Sequence, residues 1–299
     1  MKYSKPALTY EEQAKLLIER GLEASIGEIT EKLSFVNYYR FSSYLFPFKD
    51  KHSEQFIKGT RFSTVWELYK FDSDLRALVF KAIEIVEIAL RTKVTYHFSH
   101  SRGPFGYTQL EHFPFFEQNE FELWKKEIYE EITAKEDYAI SHFYKKYGAE
   151  HVLPPLWIAC EFIPFGKIVT MYRKSDKKLK DLISKDFDIP HKVLRSWMLS
   201  LNYIRNVCAH HGRLWNILLS LRPELPKEKK GKYKEWEAPI KIENNKIFCI
   251  LTILYFLIKQ IDEEYQLKNQ LTQLFEKYPQ IPITSMGFPA NWNDSPLWN

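Results

Sequence analysis

The tract from Thr64 to about Ser99 constrains the fold more than any other part of the chain. Its apolar residues recur at the i, i+3, i+4, i+7 spacing of an amphipathic helix. Thr64 followed by Glu67 is a capping signature, so we expect the helix to begin there. A helix of this length needs partner helices along its apolar face, which favours an all-helical fold. The apolar face comprises Leu75, Leu78, Val79, Ala82, Val86, Ala89 and Leu90.

Other segments carry the same kind of signal, and none shows the alternation of a β-strand. Thr9 with Glu12 forms a second capping signature, and Gly21 and Gly27 are expected to break the next stretch into short helices. The simplest interpretation is an all-α protein, with a small helical appendage over residues 1–60 and one all-α domain over residues 61–299. The predicted helices run from Thr9 to about Leu22, Glu120 to Ala134, Lys177 to Lys185, His191 to His211, and Asn245 to Tyr278.

The composition excludes several classes of protein. The chain has 299 residues, of which 45% are hydrophobic, so a large core is available. The longest apolar run, Ile247 to Ile258, is too short to span a bilayer and predicts a buried helix. The N-terminus has no apolar segment typical of a signal peptide, so we expect a cytoplasmic protein with no membrane partner. Cys160, Cys208 and Cys249 lack the spacing of zinc ligands and are expected to be buried thiols.

The segment Leu201–Asn216 places polar side chains inside an apolar helical pattern. On an ideal helix, Leu194, Met198 and Leu201 lie within about 40° of Arg205. Arg205 should therefore sit within the apolar face and be buried. Because removing an ion from water costs several kcal/mol, an anionic group is expected to meet the guanidinium.

Two histidines follow this arginine, at positions 210 and 211. Asn202, Asn206 and His210 form a ridge at i, i+4, i+8, but His210 is about 140° away from Arg205 on an ideal helix. One regular helix therefore does not direct both side chains at the same atom. Either the helix distorts as it ends before Gly212, or two such helices form a composite site across an interface.

Metal-independent RNA cleavage is the chemistry that fits these residues. A histidine exchanges protons near neutral pH, an arginine stabilises charge on a phosphorane, and Asn206 would orient the phosphate or the imidazole. The expected products are a 2′,3′-cyclic phosphate and a 5′-hydroxyl, formed without a metal or cofactor. The structural alternative stays open, with Arg205 paired to a buried carboxylate and His210 and His211 capping the helix.

Glu84, Glu87 and Arg91 share one face of the long predicted helix. The simpler interpretation is a salt bridge between Glu87 and Arg91 at i, i+4. In the alternative, these carboxylates meet Arg205 across a helix pair, or Arg91 and His97 supply a second half of a composite site. A metal site at Glu84 and Glu87 is disfavoured, because no histidine or aspartate joins them at ligand spacing.

Motifs along nearly the whole chain resemble those of the bacterial abortive-infection proteins of the Abi-like (AbiD/AbiF) family. The ordered set is far more specific than any single motif. The matching segments are Lys5–Leu8 with Glu11–Gln13, Asp74–Arg91, Tyr96–His97, Gly103–Tyr107, Pro155–Trp157, Phe165–Gly166, Trp197, Leu201–His211, Arg213–Asn216, Met286–Pro289 and Pro296–Trp298.

This family is grouped with the HEPN superfamily, all-α domains that commonly dimerise and carry a ribonuclease motif of arginine, four to six residues, then histidine. The resemblance implies that Arg205 and His210 are the catalytic pair, with Asn206 as the polar residue after the arginine. His211 fits the motif with one more residue, so the choice of histidine stays open. The resemblance also implies phage defence by growth arrest, a homodimer, an RNA substrate, and restraint by a small regulatory RNA.

The lysine-rich loop from Arg222 to Lys234 matches nothing in that family. Its side chains are either simply solvated or follow a phosphate backbone, in which case the weak RNA-binding candidates are Lys227, Lys229, Lys230 and Lys232. A non-catalytic RNA-binding or protein-binding helical module is the alternative function. A metal-dependent nucleotidyltransferase is disfavoured because the chain lacks a glycine-rich phosphate loop and paired aspartates.

Overall fold

The computed structural model describes residues 6–227 and 232–299. The described residues contain twelve α-helices and short 3-10 turns, with two isolated β-bridges and no strand, which confirms the all-α prediction. None of the described helices is long and apolar enough to cross a membrane. The helices are α1 Tyr10–Glu19, α2 Ile26–Leu33, α3 Tyr38–Leu45, α4 Phe62–Arg102, α5 Gln118–Thr133, α6 Tyr138–Tyr147, α7 Leu156–Phe162, α8 Phe165–Lys174, α9 Lys177–Lys185, α10 His191–Ala209, α11 Ile247–Ile261 and α12 Leu267–Lys277.

Two compact units make up the chain. The N-terminal unit contains the residues up to Ala77 together with Thr272–Pro282. The main unit contains Leu78–Leu271 and Ile283–Asn299. The division into an appendage of residues 1–60 and a domain of residues 61–299 remains a prediction.

In the N-terminal unit, α1 begins at the expected capping box. The Thr9 side chain accepts a hydrogen bond from the Glu12 backbone N–H, and the Glu12 carboxylate accepts one from the Thr9 N–H. Helix α1 packs against α2. Gly27 lies inside α2, so the prediction that it breaks the chain is wrong. Ser25 caps α2 before this glycine and fixes the helix start.

A buried polar cluster also stabilises the N-terminal unit. The Arg76 guanidinium lies 2.5 Å from the Asp72 carboxylate, and Tyr44 Oη donates a 2.6 Å hydrogen bond to the same oxygen. The Asp72 side chain is fully buried and that of Arg76 is 8% exposed. Burial and the neighbouring Asp72 charge raise the pKa of Tyr44, so the phenol stays a donor. Every charge in the cluster therefore has a partner, as a buried ion pair requires.

The core of the main unit surrounds α11. Ten of its fifteen residues are buried, which confirms the buried helix predicted for Ile247–Ile258. Helix α10 packs against α8, α9 and α11, with the buried Trp197 ring against Trp236 and Phe256. The three cysteines are buried as thiols, as expected. Burial raises the pKa of Cys249, so this thiol behaves as an apolar core residue.

Several predicted helices, among them α4 and the last one, differ from the observed helices at their ends. Helix α4 begins at Phe62 rather than Thr64, and the Phe62 N–H bonds the Glu23 carbonyl at 3.1 Å. The predicted helix from Asn245 to Tyr278 is two helices, α11 and α12. Asp262 ends α11 with an extended φ of −150°, and its carboxylate accepts the Glu264 N–H at 3.2 Å. This local bond competes with helix continuation.

Candidate active site

Helix α10 positions the arginine–histidine segment and ends at Ala209, two residues before the predicted end. His210 is the C-cap and His211 adopts the left-handed conformation, with φ of 56°. The His211 N–H bonds the Cys208 carbonyl at 3.0 Å, and the Gly212 N–H bonds the Val207 carbonyl at 2.7 Å. These two bonds form a Schellman motif, which satisfies carbonyls that the helix end leaves free.

The residues of this motif are unusual for a helix end. Glycine normally occupies the left-handed position, since an L side chain there costs about 1–2 kcal/mol. Here His211 occupies it, and the glycine follows at position 212. A Cβ on Gly212 would lie 2.9 Å from Val207 Cγ1, so this position also requires glycine. Strain at a non-glycine residue is retained where the surrounding structure imposes it, often at functional sites.

His210, His211 and Asn206 are exposed at this end of α10. The Asn206 carbonyl accepts the His210 backbone N–H at 3.0 Å. Among the described residues, no hydrogen bond or ion pair engages the His210 imidazole. The helix end therefore presents ionisable rings to solvent.

Arg205 is half-buried rather than buried, which corrects the prediction from the apolar face. Its side chain is 39% exposed, because a long arginine covers apolar surface with its stem while the charged head reaches water. The Nε atom is buried and makes no hydrogen bond. It lies 3.7 Å from Glu87 Oε2, and Cζ lies 5.8 Å from the centroid of the Phe80 ring. The expected anionic partner exists, but the contact is a loose ion pair.

Glu87 on α4 lies between two guanidinium groups. Its Oε1 accepts a 2.9 Å hydrogen bond from Arg91, which confirms the predicted i, i+4 salt bridge. Its Oε2 faces Arg205, so the alternative in which this carboxylate meets Arg205 across a helix pair is also realised. Arg91 is fixed further by the Cys160 carbonyl and, at 2.8 Å, by the Ile163 carbonyl.

The model of the family described as Abi-like protein matches residues 31–216 of this chain. The chain belongs to the Abi-like family. No curated protein and no solved structure matches it. The matched range includes Glu87, Arg205, His210 and His211, and membership in this family suggests a role in abortive infection.

The remaining candidates on α4 of this Abi-like protein have other partners. Glu84 is exposed and pairs with Lys81 at 3.1 Å, so it does not join Glu87 at Arg205. His97 Nε2 lies 2.9 Å from Asp186 Oδ2, and Lys93 Nζ lies 3.0 Å from the same oxygen. Burial alone would raise the pKa of Asp186, but hydrogen bonds from His97 and Lys93 hold it below its usual value. A role of Arg91 and His97 in a composite site remains a prediction.

The lysine candidates differ in their surroundings. Lys227 is exposed. Lys232 is bound to the Asp188 carboxylate, which neutralises its charge in part. Lys229 and Lys230 lie outside the described residues. In the part of the chain that the structure describes, no three histidine, cysteine or acidic side chains are grouped as a metal would require.

Sequence reasoning missed Phe80, which contacts the Arg205 guanidinium. The periodicity of α4 carries the necessary signal, because Phe80, Glu84, Glu87 and Arg91 follow at i, i+4, i+7, i+11 and share one face. No sequence pattern predicts that the carbonyls of Cys160 and Ile163 accept hydrogen bonds from Arg91. They are backbone atoms around the α7–α8 connection, and only the packing of the helices brings them to α4.

Proposed function

We propose that this Abi-like protein is a metal-independent endoribonuclease of bacterial phage defence, acting in a toxin-like manner through Arg205 and the histidines after it. The observation that carries the proposal is the end of α10. This helix end presents His210 to solvent and holds His211 in a strained left-handed conformation. The two histidines follow Arg205 by five and six residues, and the Nε of Arg205 makes no hydrogen bond. RNA is the phosphodiester whose own 2′-hydroxyl makes cleavage without a metal feasible.

The reaction proceeds by attack of the ribose 2′-oxygen on the adjacent phosphorus. One neutral imidazole accepts the 2′-hydroxyl proton, and the P–O5′ bond breaks as a protonated imidazole donates its proton to the leaving 5′-oxygen. The Arg205 guanidinium stabilises the negative charge of the phosphorane, and Asn206 orients the phosphate. The products are a 2′,3′-cyclic phosphate and a 5′-hydroxyl, and no cofactor is consumed.

Glu87 holds Arg205 in place before RNA binds. The 3.7 Å separation from Nε leaves the fork of the guanidinium available to a phosphate, while the Phe80 ring limits its sideways movement. A tighter carboxylate pair would compete with the phosphate for the same donors. The loose pair therefore supports a positioning role for Glu87 rather than a closed structural salt bridge.

A homodimer of the HEPN type completes the proposed site. Helix α10 stays regular to Ala209, so His210 leaves the helix about 140° from Arg205 and about 7.5 Å farther along the axis. Two facing copies of α10 would supply an arginine from one copy and a histidine from the other. A small regulatory RNA bound to the same surface would restrain the enzyme, and Lys227 would contact its backbone.

Cleavage of a mixed RNA pool in EDTA tests the proposal. The wild-type protein should yield 2′,3′-cyclic phosphate and 5′-hydroxyl ends, while Arg205→Ala and His210→Ala lose cleavage and keep RNA binding. His142→Ala is the control, because His142 is an exposed histidine outside the segment. Comparison of His210→Ala with His211→Ala assigns the catalytic histidine.

A wild-type protein that cleaves no RNA, even with lysate of phage-infected cells, contradicts the nuclease. Retained RNA or protein binding would then favour the non-catalytic helical module. The Glu87 contact is the observation consistent with that alternative, since it gives Arg205 a structural partner.

A further inference from the structure

A second candidate site lies along α4, beyond Arg91. A cavity of about 370 Å³, here called the Trp157 pocket, opens between the C-terminal part of α4 and α7 in the main unit. Its size is that of a small-molecule site, and its wall is mainly apolar. Its principal lining residues are Thr95, Tyr96, Ser99, His100, Trp157 and Glu161.

Two large aromatic side chains of the pocket are open to solvent. Tyr96 is 56% exposed and Trp157 is 53% exposed, although the main unit buries most of its other tryptophans. The ring of His100 lies 4.3 Å from that of Tyr96 and extends the aromatic surface. Exposed aromatic faces of this kind bind planar rings by stacking, and in RNA-binding proteins they stack on unpaired bases.

Buried hydroxyls within the pocket have weak partners or none. Thr95 is 7% exposed, and its Oγ1 contacts the Cys160 thiol, which is a weak hydrogen-bonding group; Ser99 Oγ makes no hydrogen bond to any described residue. Leaving such a group unsatisfied costs free energy, so a ligand that bonds it gains the difference. A hydroxyl both donates and accepts, which suits the edge of a nucleobase. Burial raises the pKa of the adjacent Cys160 thiol, although the Thr95 hydroxyl acts in the opposite direction.

The charges of the pocket favour a neutral ring over a phosphate. Glu161 contributes a carboxylate, and no lysine or arginine lines the cavity. A carboxylate accepts hydrogen bonds from the N–H groups of a base and repels a phosphate. His100 lies in the last turn of α4 and adds a ring nitrogen to the polar groups of the wall.

The pocket is joined to the Arg205 site through α4 and Arg91. The Cys160 carbonyl, at the pocket wall, accepts from Arg91, which bonds Glu87, which in turn faces Arg205. Tyr96 lies nine residues after Glu87, about 14 Å along the helix axis. This exceeds the roughly 3.4 Å rise between stacked neighbours of one strand. A base in the pocket would therefore flank the scissile position rather than occupy it.

We propose that the Trp157 pocket binds one unpaired nucleobase of an RNA strand and thereby sets the sequence preference at a position flanking the cleaved bond. This inference rests on the proposed ribonuclease function for its choice of RNA as the ligand. The base stacks on Trp157 and Tyr96, and its edge bonds the Thr95 and Ser99 hydroxyls.

The first test compares the cleavage sites of the wild type and Trp157→Ala in an RNA pool. Trp157→Ala should flatten the base preference at one flanking position and raise KM about 5- to 100-fold, while kcat stays within a few-fold. Tyr138→Ala is the control, because Tyr138 is an exposed aromatic residue of the same unit outside the pocket. An unchanged preference in Trp157→Ala overturns the proposal.

A binding measurement decides the case if the protein cleaves no RNA. The affinity of the full chain for a labelled single-stranded 10-nucleotide RNA is compared with that for the same strand carrying abasic sites. Wild type should prefer the intact strand about 5- to 100-fold, and Trp157→Ala should lose this preference. This result would support base binding in the Trp157 pocket even if the protein is not a nuclease. An equal affinity of the wild type for both strands would contradict base binding in the Trp157 pocket.

Thr95→Val separates ligand binding from a structural role. Because a thiol is only a weak partner for Oγ1, its removal should change the melting temperature little, while weakening base discrimination about 2- to 10-fold. Thr170→Val is the matched control, since Thr170 lies outside the pocket and its hydroxyl already bonds the Gly166 carbonyl at 2.9 Å. A clear fall in melting temperature for Thr95→Val, with discrimination unchanged, contradicts the proposal.

Discussion

Two arginines of this protein meet carboxylates in different ways. In the N-terminal unit, Arg76 is 8% exposed and lies 2.5 Å from Asp72, which also accepts from Tyr44. In the main unit, Arg205 is 39% exposed and its Nε lies 3.7 Å from Glu87 without a hydrogen bond. The Arg76–Asp72 pair is buried and stabilises the N-terminal unit, so we call it the closed pair. The Arg205–Glu87 pair is half-exposed and loose, so we call it the open pair, and its guanidinium is available to a ligand.

Loss of the closed pair should produce the largest effect on stability. Asp72→Ala leaves the buried Arg76 guanidinium without its counter-charge, so the free energy of unfolding should fall by about 3–5 kcal/mol. Urea denaturation followed by circular dichroism measures this change. Asp74→Ala is the control, because Asp74 pairs with Lys277 at the surface and should cost less than about 1 kcal/mol. Equal falls in the free energy of unfolding for Asp72→Ala and Asp74→Ala would show that the buried pair stabilises the fold no more than a surface pair does.

Release of the strain at the end of α10 should stabilise the protein. His211→Gly replaces an L residue at φ of 56° with the residue that this position normally holds, and should raise the free energy of unfolding by about 1 kcal/mol. If His211 takes part in catalysis, RNA cleavage falls in the same variant. A loss of stability would show that the His211 side chain stabilises the helix end.

Loss of the open pair should barely affect stability. Arg205→Ala removes a half-exposed guanidinium held by one loose contact, so the free energy of unfolding should fall by less than about 1 kcal/mol. Thermal and urea denaturation of the purified variant measure the change. A fall of 3 kcal/mol or more, as expected for Asp72→Ala, would place Arg205 with Arg76 as a structural arginine.

The same comparison applies to two histidines, for which we expect a smaller effect on the free energy of unfolding. His97 is paired with Asp186, and the pKa of this carboxyl group is held below its usual value of 3.8. In contrast, no described residue pairs with the His210 ring. A depressed carboxyl pKa stabilises the fold above the unfolded-state value, and this contribution is lost as the pH falls through the folded-state value. The free energy of unfolding of Asp186→Asn should therefore depend less on pH than that of wild type below about pH 4. The exposed Asp294→Asn is the control, and equal slopes for wild type and Asp186→Asn contradict the assignment.

Much of the helical fold follows from local patterns in the sequence. Phe121, Trp124, Ile128 and Ile132 are all buried on α5, as their spacing predicts, and α9 has the predicted ends Lys177 and Lys185. Periodicity does not predict the break between α11 and α12, where the Asp262 carboxylate accepts the Glu264 N–H. Periodicity describes a helix face well but not the cap that ends the helix.

The sequence singles out the candidate site residues, but it does not predict most of the contacts that they make. The sequence predicts the Glu87–Arg91 pair because both residues lie on one helix. The exposure of Arg205 and the double role of Glu87 depend on how α4 and α10 pack, which periodicity does not encode. The left-handed conformation of His211 is not predictable either, since the glycine at position 212 suggests that the left-handed residue is Gly212.

The central claim is that Arg205 is held open for a phosphate, and cleavage kinetics on matched arginines of α10 test it most directly. RNA cleavage is measured in EDTA for wild type, Arg205→Ala and Arg195→Ala, where Arg195 is an exposed arginine of the same helix. We predict that kcat falls about 100- to 1,000-fold in Arg205→Ala, as for loss of a donor to a transition-state oxyanion, and is unchanged in Arg195→Ala. Equal cleavage by all three proteins would contradict the account.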